Sequence, residues 1–502
     1  MPLNGDLHDG GGNAGAVIMR KMAIWTVVVL WVLLTSASMG FSLGVNWGRS
    51  SSHPLAPATV VAMLQANNVS KVKLFDVDPL VMEALSGSKI DVMVGIPNEM
   101  LRLLNASKKA AVDWVHNNVT RYVDNTGGGG VVNIEYIAIG DEPFLHSYGE
   151  LYKPFVLGAA TNIQLALIRA KLGDKIKVVV PCNYDVIQSD SYLPSKASFR
   201  PDVNKTMSQL LPFLNKHASP FVINLNPFLT LLQSKNFSIE QALFLPISHS
   251  LKDGHKAYNN TFDASIDSLA TVLSKMGFGN MDIMVGQVGW PTDGSVNASS
   301  SNAQSFMSGL VDHLESKVGT PLRPRRPPIE TYLFSLLDED LRSVSTGNYE
   351  RHWGIFTFDG QAKYRVDLGQ GSGNLVNSQN VDYLPSKWCV VDNNKDMTNA
   401  STEALNACSS ADCTSLFRGG SCFNITWPGN VSYAFNSFYQ QQDQRADSCD
   451  FGGLGLITTV DPSVGECRFA IGLRTSFSCT IHYDCLRCWV FILIMYSFVF
   501  TV

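Results

Sequence analysis

Two stretches end in residues able to do acid, base or nucleophilic chemistry. Asn133 to Phe144 (NIEYIAIGDEPF) is an apolar run ending in Asp141-Glu142, and Met281 to Gly294 (MDIMVGQVGWPTDG) delivers Gln287 just before Gly289-Trp290-Pro291 and a turn. Both read as buried strands presenting a polar side chain at a site mouth. Two such strand ends facing each other would frame a carbohydrate cleft. Retaining glycoside hydrolysis needs two carboxyl groups about 5 Å apart, one protonated to assist the leaving oxygen and one ionised to attack the anomeric carbon. Glu142 suits the acid, because Asp141 beside it and a buried strand behind it would hold its proton. The plainer alternative is that Asp141-Glu142 only caps the segment after the strand. Gln287 does not suit the attacker, since its amide is neutral and a very poor nucleophile.

The elements that must position these groups repeat along the chain. Between Ser42 and Leu368 eight apolar runs occur, at 42–48, 71–76, 89–97, 133–142, 175–183, 220–228, 281–291 and 329–340. They are continuously hydrophobic rather than alternating, as parallel strands covered on both faces require. Helical spacing between them is expected over Ala58 to Asn67, Glu99 to Val119, Phe155 to Leu172, Met207 to His217 and Asn302 to Ser316. Such alternation predicts an α/β chain folded as a (β/α)8 TIM barrel, with its site at the C-terminal ends of the strands. Polar residues collect there: Asn46, Asp76, Asp141, Asn226, Trp290 and Glu339 are the expected substrate-binding positions, with Asp78, Asn98, Asn183 and Asp338 nearby. Cys182 reads as a buried thiol and His352 as a packing or hydrogen-bonding residue.

With 502 residues and a net charge of −5, the chain has no basic cluster to attract nucleic acid or an anionic membrane. No cofactor motif, metal constellation or phosphate loop is present, and a monomer is expected. Residues 1–41 read as a secretory signal with an N-terminal extension: Arg20-Lys21, the apolar run Ala23 to Leu34, then small residues to Gly40. Export agrees with the many Asn-X-Ser/Thr acceptors, from Asn68 to Asn430. The apolar end, Trp489 to Val502, is too short to span a bilayer and resembles a glycosylphosphatidylinositol-anchor signal within a 469–502 tail. A secreted protein of the cell wall or outer plasma-membrane face follows as the expectation. The alternative for the tail is simply a frayed C-terminus.

Residues 369–386 are rich in Gly, Ser and Asn and read as a linker. Beyond it, 387–468 holds Cys389, Cys408, Cys413, Cys422, Cys449 and Cys467, against Cys182 alone in the preceding barrel. Six cysteines in a small exported segment read as a disulfide-stapled module, for which 15 pairings are open. A zinc site is the rival, disfavoured by the lack of paired C-x-x-C spacing.

The barrel resembles glycoside hydrolase family 17, the plant endo-β-1,3-glucanases, through GVNWG (44–48), KVKLFDVDP (71–79), VGIPNE (94–99), YIAIGDEPFL (136–145), NLNPF (224–228), VGQVGWPTDG (285–294), LLDED (336–340) and ERHWGIF (350–356). The resemblance implies hydrolysis of internal β-1,3-glucosidic bonds of callose-like polymers by a retaining double displacement. It implies Glu142 as acid/base and places Gln287 where the family has its nucleophilic Glu. Asp141 likewise stands where the family has Asn, and Asn226 where it usually has Tyr. Glu339, Asp338 and Asp141 are the candidate carboxylates to substitute for the attacker; the alternative is a catalytically inactive glucan-binding wall protein. The cysteine-rich segment resembles carbohydrate-binding module family 43 through SYAFNSFYQ (432–440), SCDFGGLG (448–455) and TTVDPSVGEC (458–467). That resemblance implies the pairs Cys389 with Cys449, Cys408 with Cys413 and Cys422 with Cys467, and β-1,3-glucan as the ligand. Tyr433, Phe435, Phe438 and Tyr439 offer ring faces for sugars or for the module's own core.

Overall fold

The computed structural model describes residues 43–123, 130–189, 192–234, 237–325 and 329–474. The expected signal, the apolar C-terminal end, Asn236, Cys479, Cys485 and Cys488 lie outside these residues.

Nine parallel strands form one sheet: β1 (Leu43–Trp47), β2 (Lys71–Leu74), β3 (Asp91–Ile96), β4 (Asn133–Ile139), β5 (Lys177–Val179), β6 (Pro181–Asn183), β7 (Phe221–Asn224), β8 (Ile283–Val288) and β9 (Thr331–Leu333). Their order is β5-β4-β3-β2-β1-β9-β8-β7-β6. Only Val180 separates β5 from β6, so these act as one bent stave whose first half pairs with β4 and whose second half pairs with β7. Eight staves therefore close a (β/α)8 barrel, and the expected runs supply all of them. The strands are short and almost wholly buried, as runs covered on both faces must be. Met93, Tyr136, Ala138, Val179, Val222, Met284 and Tyr332 fill the interior.

A charged cluster lies at the N-terminal end of the staves, opposite the site. Lys71 Nζ bonds Glu135 at 2.7 Å and Glu330 at 2.6 Å, and the hydroxyl of Tyr136 donates to Glu330 at 3.1 Å.

The helices depart from the expected list in two instructive places. The run expected over Glu99 to Val119 breaks at Ser107, whose hydroxyl accepts from the Ala110 amide at 3.1 Å and caps a new helix, Lys108–Val115. Helix Thr261–Lys275 is not among the expected segments, because Asp263, Asp267 and Ser268 interrupt its apolar stripe. All three are buried and satisfied: Asp263 Oδ1 meets His313 Nε2 at 2.8 Å, Asp267 Oδ2 accepts from the Leu322 amide at 2.7 Å, and the Ser268 hydroxyl donates to the Ala264 carbonyl at 2.8 Å.

The segment 369–386 carries no helix or strand, and it is strapped to the barrel rather than hanging free. Asn68 Nδ2 donates to the Gly369 carbonyl at 2.7 Å, the Val376 amide donates to Asn67 Oδ1 at 2.7 Å, and the Tyr383 hydroxyl donates to Asp359 at 3.0 Å. In the module, β10 (Trp388–Val391) pairs antiparallel with β11 (Gly455–Thr458), and helix Gly429–Gln441 lies against β10. Disulfides join Cys389 to Cys449, Cys408 to Cys413 and Cys422 to Cys467. Phe435 and Tyr439 are core residues here, Phe435 stacked on Phe451 with centroids 3.8 Å apart; neither has a ring face left for a sugar.

Polar contacts seat the module on the loops that follow β8 and β9. Asp293 accepts from the Ser421 amide at 2.7 Å, the Ser421 hydroxyl at 2.6 Å and the Ser415 hydroxyl at 2.9 Å. Arg351 pairs with Asp412 at 3.2 Å, and His352 Nε2 lies 2.6 Å from Thr414 Oγ1. His352 is thus a docking residue.

Candidate active site

The position of Glu142 begins with a bend. After β4, Gly140 takes φ +75°, and a Cβ there would lie 2.4 Å from Asn98 Oδ1, so only glycine fits. That closeness lets the Asn98 carboxamide bridge the next residue: its Nδ2 donates to the Asp141 carbonyl at 2.8 Å and its Oδ1 accepts from the Asp141 amide at 3.1 Å. Glu142 follows at φ +51°, a strained setting for a side chain of its size that the clamped turn enforces. Consecutive carboxylates consequently head for different walls. Glu142 Oε1 accepts from Asn224 Nδ2 at 2.9 Å, at the end of β7, and Asn183 at the end of β6 also hydrogen-bonds it. Asp141 Oδ1 instead accepts from Lys73 Nζ of β2 at 3.2 Å and Gln287 Nε2 of β8 at 3.0 Å.

Burial and the negative charge of Asp141 push the Glu142 carboxyl up to about 7, against the pull of the two asparagines and Lys73. Glu142 is therefore still partly protonated near neutrality, the state a general acid needs. Tyr148 lies within electrostatic reach of both carboxylates and shows 37% of its surface, packed edge-on against Tyr152 at 5.2 Å.

Gln287 is placed by an irregularity in β8. The pairing of β8 with β7 and with β9 shifts register around Gly286. A Cβ on Gly286 would come within 2.6 Å of Asn224 Oδ1. The shift aims Gln287 at the β4 turn, in the manner of a bulge that redirects a side chain. Asn46, wholly buried, pins the same place by donating to the Gly286 carbonyl at 3.0 Å and the Leu333 carbonyl at 3.1 Å.

The other expected binding positions divide. Asp141 sits at the mouth with its side chain 42% exposed. Asp76 is at the rim, paired with Arg49 at 3.0 Å. Glu339 is near the mouth but nearly enclosed, accepting from the Ser50 amide at 2.8 Å. Asn226 turns its Oδ1 to the Leu229 amide at 2.9 Å as the cap of helix Pro227–Gln233. Asn46 and Trp290 are corrections. Asn46 has no exposed surface and both its amide hydrogens go to backbone carbonyls. Trp290 is also fully buried, donating to the Asn297 carbonyl at 2.9 Å and meeting Phe228 edge-on, so it builds the wall behind the groove. Asn224 and Lys73 also belong to the site, and neither is among the positions expected from the sequence. Lys73 carried the clearer signal, a cation inside the apolar run KVKLFD that is only 1% exposed in the fold. Cys182 is a buried free thiol whose ionisation burial opposes.

Residues 43–368 match the model of glycosyl hydrolases family 17, and residues 387–456 match the X8 domain. A relative named glucan endo-1,3-beta-glucosidase 9 from Arabidopsis thaliana is 55% identical over 473 residues, covering 93% of this chain and 98% of the relative. Glucan endo-1,3-beta-glucosidase 5 of the same plant is 45% identical, covering 86% and 88%. Among solved structures, CJP38, a beta-1,3-glucanase and allergen of Cryptomeria japonica pollen, superposes with a TM-score of 0.62 at 33% identity, covering 66% of this chain and all of that one. From the fold, the Glu142 turn and these matches together, the chain belongs to glycosyl hydrolases family 17 and carries an X8 domain behind its barrel.

Proposed function

We propose that this protein binds β-1,3-glucan across the mouth of its barrel, with the X8 module as a second contact, and that it lacks the double-displacement route of a retaining endo-glucanase. The observation that carries the reading is the state of the two strand ends. Glu142 is set up as an acid, while the facing position holds Gln287, whose amide donates its hydrogen to Asp141. A neutral amide carries no negative charge and is a very poor nucleophile, so it does not form the glycosyl ester that a carboxylate at this position forms in a retaining enzyme. The signal-like N-terminus and the glycosylation acceptors support export to the cell wall or membrane surface, where such polymers occur.

The test is a paired measurement on the purified chain: affinity for a linear β-1,3-glucan, and release of reducing ends. Binding in the micromolar to millimolar range with turnover at least about 1000-fold below that of a relative with Glu at this position supports the proposal. Absence of binding, or turnover at the relative's rate, overturns it.

A further inference from the structure

We propose that Asp141 is a second catalytic residue, the general base of a slow single-displacement hydrolysis in which it takes a proton from the water attacking the anomeric carbon. The inference rests on the glucan reading above and gives the groove a reaction that needs no nucleophile at 287.

Three observations lead to it. First, other carboxylates around the mouth are engaged. Asp76 pairs with Arg49 at 3.0 Å. Asp338 is gripped through both oxygens by Lys363, at 2.6 and 2.8 Å. Glu339 is buried, bonded to the Ser50 amide and facing Arg342 at 3.5 Å. Second, both bonds that the Asp141 carboxylate accepts end on Oδ1, and its side chain is 42% exposed, so Oδ2 is left for a water or a sugar hydroxyl. Third, Glu142 and Asp141 are tied to different walls, the first to Asn224 and Asn183, the second to Lys73 and Gln287. An inverting glycosidase works with acid and base on separate walls and a water between them, its carboxyls roughly 6.5 to 9.5 Å apart; anchoring to different strands is the feature this site shares with that arrangement.

The step balances without a further reactant. The Glu142 proton passes to the glycosidic oxygen as its bond to the anomeric carbon breaks. A water oxygen bonds to that carbon from the opposite face, and the water proton moves to Asp141 Oδ2. The new reducing end is the α-anomer, and exchange with solvent returns the proton from Asp141 to Glu142. Gln287 is a positioning residue here, its amide fixing Oδ1 so that Oδ2 faces the groove.

The experiment uses the full chain and a linear β-1,3-glucan oligosaccharide, following the first-formed anomer by NMR and affinity by calorimetry. The expected result is slow release of α-product, a loss of at least about 100-fold in turnover for Asp141→Asn with affinity changed only a few-fold, and α-glucosyl azide formation by Asp141→Ala supplied with azide. Bound glucan with no product, β-product, or Asp141→Asn turning over at the wild-type rate would each overturn the assignment while leaving glucan binding intact. Failure to bind glucan at all would overturn the functional reading and this inference together.

Discussion

Gln287 Nε2 donates to Asp141 Oδ1 at 3.0 Å, and Lys73 Nζ reaches the same oxygen at 3.2 Å. The site thus keeps one carboxylate on the β8 side of the groove, carried by the β4 turn instead of by β8. An amide at 287 leaves that carboxylate a partner, whereas a carboxylate there would face it with like charge. Gln287→Glu alone is accordingly expected to fold with reduced stability, by about 1 kcal/mol or more, and to gain less activity than the same change made together with Asp141→Asn. Urea unfolding and reducing-end assays of the single and double variants check this.

The raised carboxyl of Glu142 has a stability signature. Its pKa rises from 4.5 to about 7 on folding, so the folded state favours the protonated form. Relative to Glu142→Gln, the wild type should be most stable below pH 4.5 and should lose stability as pH climbs through 7, then level off. Adding Asp141→Asn removes the neighbouring charge and should shift the upper end of that window to lower pH. Parallel denaturant titrations from pH 4 to 8 measure both; a pH-independent difference contradicts the assignment.

Much of this site was legible in the sequence, and the exceptions have physical reasons. Glu142 could be found because a buried strand followed by adjacent carboxylates is costly unless the carboxylates face a site. Asn224 could not, since nothing local separates an asparagine that supports an acid from one that ends a strand. Trp290 and Asn46 look like groove residues because they lie where strands end, but ring burial against Phe228 and bonding to the carbonyls of 286 and 333 make them scaffold. Helix Thr261–Lys275 was hidden by aspartates that pair internally.

At the far end of the barrel, Lys71 holds Glu135 and Glu330 together. Lys71→Met would leave these carboxylates facing each other without a cation, and a loss of about 3 kcal/mol is expected. Urea denaturation at neutral pH gives the value. Glucan affinity should not change, because the cluster lies at the end opposite Glu142.

Asp293 links the β8 loop to the module through Ser415 and Ser421. Asp293→Ala should loosen the module from the barrel, seen as faster proteolytic cleavage within 369–386 and as two separate thermal transitions in place of one. A single unchanged transition would mean that the remaining contacts, Arg351 with Asp412 among them, suffice.

On the proposed reading, the amide at 287 removes the attacking carboxylate, and the carboxylate nearest that position is the one Gln287 bonds, Asp141. The most direct measurement is the rate and anomer of hydrolysis by the double variant Asp141→Asn/Gln287→Glu on a linear β-1,3-glucan. Turnover at least about 1000-fold above wild type with β-anomer as first product is the predicted result. A well-folded double variant that binds the glucan and stays at the wild-type rate would contradict it.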